Sequence, residues 1–227
     1  MSTDPSSGKT RRPRKTAATR RAPGRPAADG PDLRSRLLDA AIVCYTRQGI
    51  AATALRSIAI EAGVNPALLH YYFGDREQLQ AAVIQERVMP AIASLAGHLQ
   101  AAGDDSARLI AAFVRGVGDT VAQYPWFPSL WVREVLCEGG ALRDLLVNQI
   151  GPQLPQMLAQ RFALAQRDGR LNADLDPRLL VVSLVGLTLF PIAGAPVWQR
   201  VFGIETFDNQ ALREHTIALL DRGLACG

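Results

Sequence analysis

The chain has 227 residues, 48% hydrophobic and 20% charged, an ordinary globular balance with enough length to bury a core as one or two compact domains. Its formal charge of +4 is unevenly placed: residues 1–32 hold eight basic and three acidic residues, 33–89 hold six against five, and the remainder holds eleven against thirteen. Cys44, Cys137 and Cys226 are odd in number and far apart, which excludes a disulfide framework and a metal motif and points to a reducing compartment.

Residues 1–32 are rich in Pro, Ala, Ser, Thr and Arg and almost free of large apolar groups, so a disordered basic tail is expected. Seven of its eight basic residues, Arg11, Arg12, Arg14, Lys15, Arg20, Arg21 and Arg25, suit non-specific attraction to phosphates. Gly24-Arg25-Pro26 resembles the core of an AT-hook, over three residues only. No hydrophobic segment follows the basic start, so no secretory signal is read and a cytoplasmic protein is expected.

From Leu33 to Gln48, the residues Leu37, Leu38, Ala41, Ile42 and Tyr45 recur on one helical face, and Gly49 closes the helix. A second helix is expected from Thr53, whose hydroxyl suits a helix start, with Leu55, Ile58, Ala59 and Ala62 on its apolar side. Gly63 ends it, Val64 plugs the turn, and Asn65-Pro66 supplies a capping side chain followed by proline at the first helical position. The third helix, about Pro66 to Phe73, turns Leu69 and Phe73 inward together. Ala67 and Tyr71 then point away, flanked by Leu68 and His70. Two short helices around a glycine-led turn are the pattern of a helix-turn-helix that presents its second helix to a major groove.

These residues carry a resemblance. Ala40, Ala41 and Gly49, then Thr53, Ile58-Ala59, Ala62-Gly63-Val64, Tyr71-Tyr72-Phe73, Arg76-Glu77 and Leu79 resemble the DNA-binding domain of the TetR family of bacterial transcriptional regulators, over about a quarter of the chain. Two positions depart from the family pattern: His70 stands where members commonly have a phosphate-binding tyrosine, and Arg76 where they commonly have a lysine. The reading implies phosphate clamping by Thr53, Arg56 and Arg76, with Asn65, Ala67, Leu68, His70, Tyr71 and Tyr72 at or near bases and backbone. It also implies a homodimer on an approximately palindromic operator in double-stranded DNA.

Asp75 is placed to cap a longer helix running through Glu77, Leu79, Ala82, Val83, Glu86 and Arg87 toward Leu99, kinked at Pro90. The resemblance makes it the connector between the DNA-binding part and the rest. Beyond Asp104, helices are expected at about 105–123, 127–138, 142–168, 177–193 and 208–224, with turns at Gly103, Gly139-Gly140, Gly169 and Gly203 and a break or kink at Pro152 and Pro155. With no strand-like alternation and no solenoid repeat, the class is all-α. The chain divides into a tail (1–32), a helix-turn-helix domain (33–80) and a helical effector-binding and dimerisation domain (81–227).

Leu179 to Trp198 contains no charged residue, a length that could span a bilayer. Ser183, Thr188, Pro191, Gly194 and Pro196 interrupt it, and its second half reads as a broken end. A buried dimer helix is the better account and no membrane is expected: the resemblance implies a four-helix bundle between two subunits, burying Leu180, Leu184, Leu187, Ile217 and Leu220.

Signals for catalysis are weak. His70, His98 and His215 lie in separate elements without ligand spacing, and no nucleophile elbow or Cys-x-x-Cys pair occurs. Ser7-Gly8-Lys9-Thr10 lacks the leading glycine of a phosphate loop, and Gly116-x-Gly118 has Val121 in place of a third glycine. A non-enzyme without cofactor or metal is expected. Phe113, Tyr124, Trp126, Phe127, Trp131 and Phe190 gather beside helix ends, where apolar pockets form. They suit a small hydrophobic or aromatic effector, with Arg115, Arg133 and Glu134 as polar anchors. The sequence therefore reads as a ligand-responsive repressor. The rivals are a membrane-associated protein held by Leu179–Trp198 and a helical small-molecule-binding or enzymatic protein without specific DNA recognition.

Overall fold

The computed structural model describes residues 31–150 and 153–224, so the basic tail before Pro31 and Cys226 lie outside the described residues. Among the described residues every regular element is helical.

Helix α1 (Pro31–Gln48) starts two residues earlier than the periodicity suggested, because Pro31 suits a first helical turn and Asp32 places an acidic group there. Gly49, at φ 88°, ends it. Helix α2 (Leu55–Ala62) starts two residues later than expected. Ala54 caps it with no side-chain bond, since the Thr53 hydroxyl donates to the Gly49 carbonyl at 2.6 Å. Gly63, left-handed at φ 67°, closes α2, and Asn65 caps α3 (Pro66–Phe73) by accepting the Ala67 N–H at 2.9 Å. Asp75 and Gln78 form a reciprocal capping box at the start of α4 (Arg76–Val83).

The connector continues through a π turn at Ile84–Val88 into α5 (Met89–Ala101). Pro90 has no N–H to offer the Glu86 carbonyl four residues back. The helix runs on as a wider turn, the Met89 N–H bonding Ile84, while Arg87 Nη1 donates to the Glu86 carbonyl at 3.1 Å.

Helix α6 (Ser106–Gln123) is capped by Asp105. The expected helix at 127–138 is shorter: α7 (Phe127–Trp131) passes into a π turn at Val132–Leu136 and stops at Cys137. Arg143 caps that end by donating to the carbonyls of Val135, Leu136 and Cys137 at 3.1, 2.9 and 2.7 Å. The expected helix at 142–168 comprises α8 (Arg143–Leu145), a π turn at Leu146–Ile150 and α9 (Gln153–Arg167). Helix α10 (Pro177–Ala193) follows, capped by Asp176. The segment read as a broken end is a helix of its own, α11 (Ala195–Phe202). A Cβ at Gly194 would sit 2.7 Å from Trp198 Nε1, so glycine is what allows the turn between them. Helix α12 (Asn209–Leu224) completes the order. Among the described residues no single helix is long and apolar enough to cross a membrane; α10 and α11 pass that test only as a pair, bent by 67°.

Two cores hold the helices. In the first, Leu37, Leu38, Ala41 and Tyr45 of α1 meet Ile58 and Ala59 of α2, Leu69 and Phe73 of α3, and Leu79 and Val83 of α4. This core does not stop with the reading helices, since Val88, Leu130, Val135 and Leu142 belong to it. The second packs Leu99, Leu109, Phe113, Val117, Leu158, Phe162 and Leu184 among α5, α6, α9 and α10.

The dimer residues need correction. Leu180, Leu184 and Leu220 are buried in their own chain's core, and Leu187 and Ile217 pack against it. The periodicity identified an apolar helix but not which face was left over. Leu179, Val182 and Phe190 of α10, Val197, Val201 and Phe202 of α11, and Leu219 of α12 are the exposed apolar residues.

Candidate nucleic-acid interface and apolar cavity

Helix α3 is fixed from below and bare above. Leu69 at 1% and Phe73 at 6% exposure anchor it, while Pro66, Ala67, His70 and Tyr71 face solvent, Tyr71 at 78%. The fold itself makes little use of so exposed a ring. Tyr71 and Tyr72 meet edge to face with ring centroids 5.2 Å apart, which orients the Tyr71 ring. Leu68 and Tyr72 are half-buried against the core and sit at the margin of the face.

His70 Nδ1 donates to the Gly74 carbonyl at 2.8 Å, so Nδ1 carries the hydrogen and Nε2 points away as the ring's other group. With Nδ1–H so engaged, Nε2 is the acceptor that His70 presents at the surface of α3. Arg56 is exposed on the outer side of α2, and Asn65, also exposed, keeps its amide nitrogen after capping through its oxygen.

Two expected clamps are occupied. Thr53 is 2% exposed; its hydroxyl donates to Gly49 and accepts from Gln48 Nε2 at 3.2 Å, which removes it from the surface as a phosphate donor. Arg76 is half-buried, and its Nη2 donates to the carbonyls of Ile50 and Ala51, both at 2.6 Å. In this structure it braces the loop between α1 and α2. Both residues have the right chemistry for phosphate, and only the fold shows that the nearby backbone takes it up.

The connector is strapped to the reading head. Arg34 of α1 pairs with Glu86, Nη2 to Oε1 at 2.6 Å, and lies over the Phe73 ring 5.0 Å from its centroid. That hydrogen-bonded pairing holds the Glu86 carboxyl below its ordinary value and the Arg34 guanidinium above its own. Cys44 is buried and its thiol is raised by desolvation, as suits an inert core thiol; Cys137 is exposed. Among the described residues no group of His, Cys, Asp or Glu is arranged to hold a metal ion.

The aromatic residues divide. Tyr124, Trp126, Phe127 and Trp131 form a chain of rings with successive centroids 5.8, 6.0 and 5.9 Å apart. Phe127 and Trp131 line an apolar cavity completed by Val88, Ile92, Leu130, Val135, Leu142, Leu145 and Leu146. Its volume is ≈ 20 Å³, room for little more than a water molecule. Phe113 lies instead in the second core, and Phe190 is 59% exposed beside Trp198, so neither reaches this cavity. The expected anchors are elsewhere too: Arg115 and Arg133 are exposed, and Glu134 is buried on backbone amides. The aliphatic walls were missed because a leucine facing a cavity and one facing a core have the same spacing.

Residues 37–83 match the model of the bacterial regulatory proteins of the tetR family, and residues 107–221 that of a tetracyclin repressor-like C-terminal domain. The chain belongs to the TetR family. As a TetR-family protein it is a DNA-binding helix-turn-helix regulator. It is 29% identical over 185 residues to the HTH-type transcriptional regulator RutR of Escherichia coli (strain K12), a match covering 78% of this chain and 83% of RutR. To the HTH-type transcriptional regulator BetI of Rhizobium meliloti (strain 1021) it is 47% identical over 55 residues, 24% of this chain and 27% of BetI, so that match spans about a quarter of the relative. The ketosteroid transcriptional regulator KstR2 of Mycobacterium tuberculosis shares the fold with a TM-score of 0.69 at 15% identity, over 89% of this chain and 100% of that one. FadR of Bacillus subtilis, solved with stearoyl-CoA, does so at 0.60 and 19% identity, over 82% of this chain and 96% of that one.

Proposed function

We propose that this TetR-family regulator is a cytoplasmic homodimeric repressor that leaves an inverted-repeat operator when a small hydrophobic effector enters the apolar cavity. The observation that carries the reading is the exposed Ala67 and Tyr71 face on a helix anchored by Leu69 and Phe73. Arg56, Asn65, Ala67, Leu68, His70, Tyr71 and Tyr72 make the DNA contacts, with Thr53 and Arg76 shaping the loop behind them. A second copy seated on the exposed face of α10, α11 and α12 supplies the second reading helix.

The cavity lining is apolar throughout, which selects a hydrocarbon or aromatic body. Stearoyl-CoA in the FadR complex is a precedent for such a body on this fold. An effector acts only through its differential affinity for the DNA-competent and released conformations. Selection of bound fragments from sheared genomic DNA, followed by a gel-shift screen of hydrophobic compounds, tests the reading. It expects a shared inverted repeat and compounds that release it; failure to enrich any fragment would overturn it.

A further inference from the structure

Glu134 is a buried carboxylate, 3% exposed, that belongs neither to the reading face nor to the small apolar cavity; it lines instead an open cleft of ≈ 570 Å³ between the α1–α2 loop and the 132–140 segment. Its Oε1 accepts the Ile50 N–H at 2.9 Å and its Oε2 accepts the Ala141 N–H at 2.9 Å. Ile50 sits in the loop between α1 and α2, so the first bond reaches the reading head. Ala141 lies in the loop that returns from the Val132–Leu136 turn, beside the cavity wall. Glycines make the approach possible at both ends. A Cβ on Gly49 would lie 3.1 Å from Oε1, and one on Gly140 would overlap the Glu134 carbonyl. Ile50 is gripped from the other side as well, because its carbonyl accepts from Arg76 at the start of α4.

The cavity adjoins this arrangement. Val135, the next residue, lines the void, and so does Leu142, whose N–H donates to the Glu134 carbonyl at 3.1 Å. At ≈ 20 Å³ the void admits no organic ligand until its walls, Val135 and Leu142 among them, move apart. Close-packed side chains pass such a displacement to their neighbours. A carboxylate buried on two amides cannot lose either partner without cost, so motion of the 134–142 segment strains the Ile50 bond.

We propose that Glu134 is a positioning residue that ties the reading head to the effector cavity, holding Ile50 when the cavity is closed and releasing it when a ligand enters. The inference rests on the effector-responsive reading above. A merely structural brace would alter stability; a tie makes operator affinity depend on the state of the cavity.

The test uses the full-length chain with Glu134→Gln and Val135→Phe, separately and combined. The glutamine keeps the side-chain shape, but its nitrogen cannot accept an N–H, so one of the two anchors is lost. The phenylalanine adds bulk to the cavity wall and stands in for a ligand; Leu145→Phe replaces it should that variant not fold. Hydrogen exchange at the Ile50 amide is expected to accelerate about tenfold or more in Glu134→Gln, with the amides of Leu37 to Tyr45 unchanged. Each single variant is expected to weaken operator binding at least about fivefold, the low end of ordinary allosteric coupling, and the double variant no further than the weaker single. Unchanged exchange at Ile50, or losses that simply multiply in the double variant, would overturn the tie. If the wild-type chain enriches no genomic fragment, the repressor reading is what fails, and exchange at Ile50 still decides whether Glu134 holds that amide.

Discussion

Arg87, in the π turn of the connector, reaches back to Asp39 of α1, Nε to Oδ1 at 2.6 Å, and its Nη2 also donates to the Ser35 hydroxyl at 2.8 Å and the Ser35 carbonyl at 3.1 Å. One side chain thus holds the irregular turn against the helix that organises the reading head. The Arg87 side chain is 20% exposed, so these bonds are better shielded than those of Arg47 with Glu61, where the arginine is 68% exposed. Arg87→Ala is expected to cost roughly 1–2 kcal/mol, the scale of lost charge-assisted bonds on a partly shielded group. Arg47→Ala is expected to cost less than about 0.5 kcal/mol. Paired denaturant melts check the order; equal losses would make the Arg87 strap another surface pair.

Tyr71 and Leu69 stand two residues apart on α3 and make opposite demands. Tyr71→Ala is expected to leave the melting temperature unchanged, since the ring is 78% exposed, while weakening operator binding by about 1–3 kcal/mol. Leu69→Ala removes a side chain 1% exposed and is expected to destabilise the fold by about 2–5 kcal/mol. Gel shifts alongside thermal melts separate the two, and unchanged operator affinity in Tyr71→Ala would count against the assigned face.

The reading head was the most legible part of the sequence. Gly63, Asn65, Pro66 and Asp75 act through local backbone geometry, so their places in the turn and caps follow from residue type alone. The rotation of α3 followed from two apolar residues four apart. What the sequence hid were choices among equals. Thr53 and Arg76 could serve phosphate or backbone, and nearby carbonyls took both. Helix α10 is apolar all round, so only packing shows that Leu184 faces its own core and Val182 faces outward. Glu134 read as a ligand anchor because its amide partner Ile50 lies 84 residues away. The π turns at 84–88, 132–136 and 146–150 carry no residue signature, though Pro90 marked a disturbance near the first.

The Arg34–Glu86 pair makes part of the strap sensitive to acid. Hydrogen bonding to Arg34 holds Glu86 below its ordinary value in the folded chain. A depressed folded value means the stabilisation is fully present above the unfolded carboxyl range, about pH 4.3, and is lost as pH falls through the lower folded value. The melting-temperature gap between wild type and Glu86→Gln is therefore expected to stay constant from about pH 7 to 5 and to close as pH falls through the lowered folded value. Melts across that series check it; a gap that persists at the acid end would assign the loss to packing. Since Glu86 is 39% exposed, salt is expected to narrow the gap at neutral pH as well.

The exposed side of α10 allows a sharp test of how two copies meet. Val182 is 64% exposed and Leu184 fully buried, so a charge has opposite consequences at positions two residues apart. Val182→Asp places a carboxylate on the outer face, where a single chain can hydrate it; only burial against a second copy makes it costly. The expected outcome is a folded monomer by analytical ultracentrifugation, with helical content and far-ultraviolet spectrum retained. Leu184→Asp buries the same charge inside the second core and is expected to prevent folding altogether. Losing the dimer also removes the second reading helix, so operator binding by Val182→Asp is expected to fall far more than a surface change of this size accounts for. A Val182→Asp protein that still sediments as a dimer would place the interface on some other surface.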